Sequence, residues 1–457
     1  MPIRLLGDDM NRVAVFGLAL TGRAVATALS SRGIDIVVSD DVDTSDNRSF
    51  ADLVNASWVS MGESTSIDRF LDGVDTLMPA PGVPLHHEVI RRALEKGISI
   101  RTEIDVAYEW EQQRAGGARP ILGITGTDGK TTTTMLTAAI LRANDMRVAE
   151  VGNTDVPFMA ALGDDVDAFV VECSSFRLQF TDMFRCNASV WLNLAPDHLD
   201  WHGSLANYTD AKKKLWAHAL AEDVAVASAD HPMIVEAAHQ SGARVVTFGL
   251  SQGDYRFESG VLLSPHGVVT TQKDLWRSMP HDITNSLAAA ALAVESGLCL
   301  VNGVSVPLRS FTSAHHRIEL VGEFNGSSWY DDSKATSPHA ALTAIRAFND
   351  VVLIAGGRNK DLDLNQLAAE PGRMRGVVAI GDDAQLVADA FSGICPVINA
   401  QSMKDAVAAA ADMATAGVSV LLSPGCTSYD WYRNYNERGD DFQLQVRTFF
   451  TDKSRSQ

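Results

Sequence analysis

The chain reads as α/β, with mostly parallel sheets in three domains, on three observations. Its 457 residues exceed what a single hydrophobic core organises. Short β-branched runs alternate with stretches of helical apolar spacing, the pattern of strand–helix–strand units. That alternation restarts after a polar stretch at residues 111–119 and again after PLRSFTSAHHRIELVG, which sets the expected domains at 1–117, 118–308 and 309–457.

The first unit opens with RVAVFG, residues 12–17, followed by LALTG, a helix from about 21 to 31, and DIVVSD as a second strand. Gly17 and Gly22 match the outer glycines of a dinucleotide fingerprint, Ala19 replaces the middle one, and Asp40 falls near the ribose-binding position. A nucleotide site and a turn that needs two glycines for packing both fit this Rossmann-like opening. A further strand, VDTLMPAPGVP, runs into a proline- and glycine-rich loop at 79–84, again at a strand's carboxyl end, where open α/β sheets bind ligands. The run EQQRAGGAR, 111–119, breaks the periodicity and reads as a linker.

The central unit begins with GITGTDGKTTT, residues 123–133, between a short buried strand and a helix. Strand, glycine-rich turn and helix in that order form a phosphate loop of the ATPase type. Backbone N–H groups and the helix N-terminus face the phosphates, Lys130 offsets β- and γ-phosphate charge, and the Thr131 hydroxyl ligates Mg²⁺. The usual spacing puts glycine where this chain has Ile124, and Gly123, Gly126 and Gly129 do the bending instead. Strands and helices then alternate on a parallel sheet, and YRFESGVLLSPHGVVTT reads as a small antiparallel addition. WYDDSKAT, VVLIAGG, GVVAIGDD and SVLLSPG build a third α/β unit, and TDKSRSQ reads as a frayed tail.

A formal net charge of −19 argues against a nucleic-acid partner, which would require a basic surface. An anionic nucleotide must then be met by helix N-termini, single lysines and metal ions. No apolar run is long enough to span a bilayer, and the start MPIRLLGDDMNR turns acidic too early for a secretory signal, so a cytoplasmic location is expected. Five cysteines without CxxC or Cys/His clustering suggest buried, reduced thiols.

Three further positions carry chemistry. Glu172 ends the apolar run AFVVE, where a Mg²⁺ ligand would sit beside the phosphate loop. His198, flanked by Asp197 and Asp200, follows another strand and suits metal or phosphate contact. Lys212, Lys213 and Lys214 run round an amphipathic helix, and from chemistry alone all three read as solvated.

Together GITGTDGKTTT, VGN (151–153), ECSSF (172–176), NLAPDHLD, YTDAK (208–212), HHRIE (315–319), DDSKAT (331–336) and LLSPGC (421–426) resemble the Mur ligases over essentially the full chain. The resemblance implies a UDP-substrate domain, a central ATPase and a third, Rossmann-like domain that closes with the amino acid. GLALTG, GGRNKDLD and SPGCTSYD point to the branch that adds D-glutamate to UDP-N-acetylmuramoyl-L-alanine. It also implies that Gly126, Thr127, Asp128, Gly129, Lys130, Thr131, Thr132, Asn285 and Arg317 bind ATP. Two Mg²⁺ ions are implied, one on Thr131 and Glu172, the other among Glu172, His198 and a carbamylated Lys212. Leu18, Thr21, Asp40, Pro81, Gly82 and Asn153 would contact the UDP-substrate, and Lys334, Thr336, Lys360 and Ser428 the D-glutamate and the transferring phosphate. A monomer is expected. Asp128 and Asp282 stand where the family commonly has asparagine, each adding negative charge near a nucleotide. Another Mur-type ligase, a folylpolyglutamate synthase, or a nucleotide-dependent regulator without ligase activity are the alternatives.

Overall fold

The computed structural model describes residues 10–63, 65–360 and 362–455, without the side chains of Asp200 and of residues 452–455. The opening nine residues, read above against a secretory signal, lie outside them, as does the carboxylate of Asp200 expected beside His198. The chain divides into two compact bodies. One runs to Leu194 and takes in Ala206–Ser278 and Asp282–Phe311; the other comprises Ala195–Leu205, Met279–His281 and the chain from Thr312.

The first body holds two sheets among the described residues. Strands β1 (Arg12–Phe16), β2 (Asp35–Ser39), β3 (Ser57–Trp58), β4 (Thr76–Pro79) and β5 (Ser99–Ile100) pair in parallel in the order β3-β2-β1-β4-β5. The second sheet contains β6 (Ile121–Thr125), β7 (Val148–Gly152), β8 (Ala168–Glu172), β9 (Ala188–Trp191), β10 (Val224–Ser228), β11 (Arg244–Gly249), β12 (Tyr255–Glu258), β13 (Val261–Ser264) and β14 (Gly267–Thr271). Its order is β14-β13-β12-β11-β10-β9-β6-β8-β7, parallel except for the edge β12-β13-β14, which is the antiparallel addition expected from YRFESGVLLSPHGVVTT. Every residue of β6 and β8 is buried, as strands covered by helices on both faces require. In-register pairing of Ile124 with Glu172 and of Thr125 with Trp191 brings the carboxyl ends of β6, β8 and β9 together.

The expected linker at 111–119 is anchored at both ends. Glu111 belongs to the Glu103–Gln112 helix, and its carboxylate accepts two hydrogen bonds from the Arg119 guanidinium and one from the Arg119 amide, at 2.7–2.9 Å. Arg119 also donates to the carbonyls of Leu162 and Asp164 and lies over the Phe169 ring. Composition signalled a polar connector because the two charges that bury each other are counted as polar one by one. Residues 112–118 between them are exposed.

The second body holds one sheet among the described residues. It contains β15 (Glu319–Phe324), β16 (Ser327–Asp331), β17 (Val351–Gly356), β18 (Met374–Ile380), β19 (Val397–Asn399) and β20 (Ser419–Leu422), in the order β15-β16-β20-β17-β18-β19. All pairs are parallel except β15-β16, a hairpin the sequence reading passed over. Its two-residue turn is Asn325-Gly326, both at positive φ (52° and 79°), which is the type I′ geometry that suits strand twist. The tail expected to fray continues the Tyr435–Arg455 helix, and only the last two residues lie outside the described chain.

The five cysteines are free; four are buried and Cys395 is half-buried. Burial pushes the Cys173 and Cys426 thiols up to about 12, which fits inert core residues. Among the described residues no helix is long and apolar enough to cross a membrane.

Candidate active site

The loop after β6 passes directly into the Lys130–Arg142 helix, with Gly126 at φ 157° and Gly129 at φ 82°. Four consecutive threonines, 131–134, are modest helix formers; the helix stands because Thr132, Thr133, Thr134, Leu136, Ile140 and Leu141 are buried against the sheet. Its first-turn N–H groups lack intrahelical acceptors by construction and carry the positive end of the helix dipole. The Lys130 ammonium donates to the carbonyls of Gly126 (2.9 Å) and Thr127 (2.7 Å) and so stays over the loop. Asn285, from the Pro280–Glu295 helix, packs on the same loop: a Cβ at Gly129 would fall 2.6 Å from its Oδ1, so glycine is required there by contact as well as by φ.

Glu172, 1% exposed at the end of β8, accepts from the Thr131 hydroxyl on one oxygen (2.8 Å) and from the Asn153 amide on the other (2.9 Å). A hydroxyl and a carboxylate converging beside a helix N-terminus form an all-oxygen donor set that fits Mg²⁺. Asn153, expected at the UDP-substrate, therefore also orients Glu172. Lys212 is 1% exposed, donates to the Gly126 carbonyl at 2.7 Å and lies 4.5 Å from the centre of the Tyr208 ring. Lys213 is exposed beside Asp210, and Lys214 donates to the carbonyls of Gln179 and Thr181. The reading of all three as solvated fails because the helix turns one lysine into the phosphate loop and another onto a neighbouring turn.

At the first sheet, the carboxyl ends of β1, β2 and β4 gather Leu18, Asp40 and the Pro81–Gly82 loop. Asp40 accepts from the amides of Leu18 (2.6 Å) and Val42 (2.9 Å), so its carboxylate shapes the turn. The two glycines serve packing, since a Cβ at Gly22 would lie 1.8 Å from the Gly17 carbonyl oxygen. Thr21 accepts from Arg177 at 3.0 Å, and Arg177, 4% exposed, also pairs with Glu103 at 2.5 Å. The sequence reading included neither Arg177 nor Glu103. Asp282, also fully buried, is held bidentate by Arg277 at 2.6 and 2.8 Å, and Arg277 lies over the Trp276 ring. The charge that this departure introduces is neutralised within five residues of chain.

In the second body, His198 adopts the left-handed conformation (φ 52°), with its amide on Asp197 Oδ1 and its ring 3.3 Å from the same carboxylate. Asp197 also takes the Lys360 ammonium at 3.0 Å, so these two predicted residues share one carboxylate. Lys334 lies 3.7 Å from the centre of the Tyr435 ring, and the Thr336 amide closes on the Lys334 carbonyl. Two residues missed by the sequence reading organise this group. Arg438, 1% exposed, donates to the Ser333 hydroxyl and carbonyl and to the Cys426 and Thr427 carbonyls, tying the strand-end loop of Lys334 to that of Ser428. Asp332 accepts from Ser423 at 2.7 Å; burial pushes its carboxyl up to about 7, against the pull of that hydrogen bond and of the Arg317 charge. Arg317 sits between His316 and Ile318, both at positive φ (60° and 47°), and the His316 ring is held by Asp331 at 2.7 Å. Phosphate loop, Glu172, Lys212, Asn285 and the residues expected at the UDP-substrate thus lie in the first body, and His198, Arg317, Lys334, Thr336, Lys360 and Ser428 in the second.

The chain matches the Mur ligase MurD-like N-terminal domain over residues 11–102, the Mur ligase middle domain over 124–293 and the Mur ligase glutamate ligase domain over 316–426. It is 33% identical to the UDP-N-acetylmuramoylalanine–D-glutamate ligase of Syntrophus aciditrophicus, covering 96% of this chain and 98% of that one. It is 35% identical to the ligase of the same name from Thermobifida fusca, covering 95% and 98%. Among solved structures, MurC from Thermotoga maritima shares the fold at a TM-score of 0.60 and 17% identity over 96% of this chain and 99% of that one. MurF from Thermotoga maritima in complex with ADP does so at 0.60 and 16%, over 99% and 100%. Since the likeness to whole relatives covers nearly the full chain and the three domain matches follow one another along it, the chain belongs to the Mur ligase family.

Proposed function

We propose that this protein is an ATP-dependent ligase that joins D-glutamate to UDP-N-acetylmuramoyl-L-alanine in the cytoplasm, during the synthesis of peptidoglycan precursors. The observation that carries the catalytic part is the Glu172 carboxylate, bonded at once to the phosphate-loop Thr131 and to Asn153. The substrate carboxylate attacks the γ-phosphorus of ATP, ADP leaves, and an acyl phosphate forms. The amino group of D-glutamate then adds to that carbonyl, and the tetrahedral adduct expels phosphate to leave the amide. No protein nucleophile is needed. The barrier to the first step is charge, because a carboxylate must approach a polyphosphate, and Lys130 with the helix N-terminus offsets it. Thr131 and Glu172 would hold one magnesium ion, and Glu172, His198 and a carbamylated Lys212 a second, which would supply further positive charge against the phosphates.

The carbamate has a physical motive. CO₂ adds to the neutral amine and turns a cation that repels magnesium into an anion that binds it. A Lys212→Ala protein should lose activity and recover part of it with added small carboxylic acids; full activity without them would refute the carbamate. In this reading Leu18, Thr21, Asp40, Pro81, Gly82 and Asn153 receive the UDP-substrate, while Lys334, Thr336, Lys360 and Ser428 receive D-glutamate. The protein acts as a monomer of three domains, 1–117, 118–308 and 309–457.

The deciding experiment measures phosphate release from ATP and Mg²⁺ with UDP-N-acetylmuramoyl-L-alanine present, adding D-glutamate, L-glutamate, L-alanine or nothing. Stimulation by D-glutamate alone, with the amide identified by mass, is expected. No stimulation by any amino acid would overturn the ligase reading and favour a nucleotide-dependent regulator.

A further inference from the structure

Asn193 stands two residues past the end of β9 and engages both polarities of one turn of the phosphate loop. Its Oδ1 accepts from the amides of Thr127 and Asp128, each at 2.9 Å, and its Nδ2 donates to the Asp128 carbonyl at 3.1 Å. Asn193 is itself fixed, because its backbone carbonyl accepts the Trp191 indole N–H at 3.0 Å and lies 3.2 Å from the Thr127 amide. The turn it grips lies between Gly126 and Gly129, both at positive φ. Glycines allow that backbone but do not select it, since each has more conformations to lose than any other residue. Order must come from outside the loop.

We infer that Asn193 is a positioning residue for the nucleotide: its side-chain amide holds the Thr127–Asp128 turn in the shape that aims Lys130, Thr131 and the first-turn N–H groups of the helix at the phosphates. The inference deepens the ligase reading and rests on it for the identity of the nucleotide. In this state the amides of Thr127 and Asp128 are taken up by Asn193 Oδ1. An amide suits the task better than a carboxylate, which could take the two N–H groups but would have no donor for the Asp128 carbonyl and would add negative charge beside the phosphates. None of the atoms in the Asn193 contacts belongs to Glu172, His198 or Lys212, and Thr131 is the one metal-site residue that the positioning reaches.

The test compares wild type with Asn193→Ala and Asn193→Ser, using direct binding of a fluorescent non-hydrolysable ATP analogue, KM for each of the three substrates, and the thermal midpoint of the free protein. A loop that spends a tenth of its time in the competent shape binds tenfold more weakly. Asn193→Ala should therefore weaken analogue binding and raise KM for ATP by on the order of tenfold, with the other two KM values within twofold and the midpoint little changed. Asn193→Ser, which keeps one short acceptor, should fall between. Binding by the alanine variant within twofold of wild type would overturn the inference. So would a proportionate loss of affinity for all three substrates, or failure of both variants to fold, either of which would mark a structural role. Wild-type protein that binds the analogue but is not stimulated by D-glutamate would remove the ligase reading and leave the role of Asn193 to be decided by the binding data. Wild-type protein that binds no adenine nucleotide would remove both.

Discussion

Replacing Arg438 by methionine removes a buried guanidinium and leaves its methylene packing largely in place. Three carbonyls, those of Ser333, Cys426 and Thr427, and the Ser333 hydroxyl lose a donor. The Ser333 hydroxyl still donates to the Tyr435 carbonyl and the Thr427 carbonyl still accepts from the Arg358 amide, so these two lose a bond worth about 1 kcal/mol each, while the Ser333 and Cys426 carbonyls are left unsatisfied at about 2 kcal/mol each, roughly 6 kcal/mol together. Against this, methionine escapes the desolvation that pushes the Arg438 pKa down to about 10, a relief of about 3 kcal/mol. The balance is a loss of about 3 kcal/mol, which for a body of roughly 150 residues lowers its thermal transition by about 8 °C. Because the bonds tie the loop before Lys334 to the loop before Ser428, KM for D-glutamate should rise about tenfold while KM for ATP stays within twofold. Arg438→Lys should rescue little, since one ammonium cannot reach both loops as a planar fork does. Calorimetry and three-substrate kinetics read both effects. A transition within 2 °C of wild type together with an unchanged KM for D-glutamate would refute the reasoning, and would mean that water replaces the guanidinium at no cost.

Asp282→Asn restores the residue common in the family, yet here it should destabilise by about 1–3 kcal/mol, because it removes the negative charge and one of the two oxygens that accept from Arg277; a double-mutant cycle with Arg277→Met should show the loss largely recovered, and additive losses would count against the pair. The Asp332 carboxyl, pushed up to about 7 by burial, resists ionisation in the folded chain. Below its unfolded value near 4 both states are protonated and nothing is lost; from there to about pH 7 the folded state retains a proton the unfolded state gives up, so stability falls as pH rises, by up to about 4 kcal/mol, and then levels off. Asp332→Asn should abolish that slope in denaturant titrations run between pH 5 and 8, and identical slopes in the two proteins would reject the assignment.

The phosphate loop was legible because its chemistry is local: glycines, lysine and threonine act within the nine residues 123–131, and the strand and helix that frame it announce themselves by periodicity. Glu172 was legible only through that loop: a carboxylate ending an apolar strand is more often a cap or an ion-pair partner, and the pairing with Lys130 and Thr131 is what singled it out. The hairpin at Asn325-Gly326 carried one of the strongest short-range turn signals and was passed over in favour of the longer α/β rhythm around it. The roles of Asn193, which lies within NLAPDHLD, of Arg177 and of Arg438 were beyond reach, since each acts through groups far along the chain, and neither composition nor spacing encodes such partners. Those groups are backbone for Asn193, the Glu103 carboxylate and Thr21 hydroxyl for Arg177, and backbone carbonyls and the Ser333 hydroxyl for Arg438. Lys212 shows the same limit from the other side: three adjacent lysines look alike in sequence, and only the helix phase decides which is buried.

The anchored connector of the first body makes its covalent continuity redundant. Residues 112–118 form an exposed, glycine-containing bridge in which Arg114 and Gly117 already close a tight turn, while Glu111 and Arg119 hold its two ends together. The chain could be nicked there by a protease, or opened to create new termini, and the two sheets would remain docked through the Glu111–Arg119 and Glu103–Arg177 ion pairs. For this protein, then, a cut visible on a denaturing gel would be no measure of lost assembly.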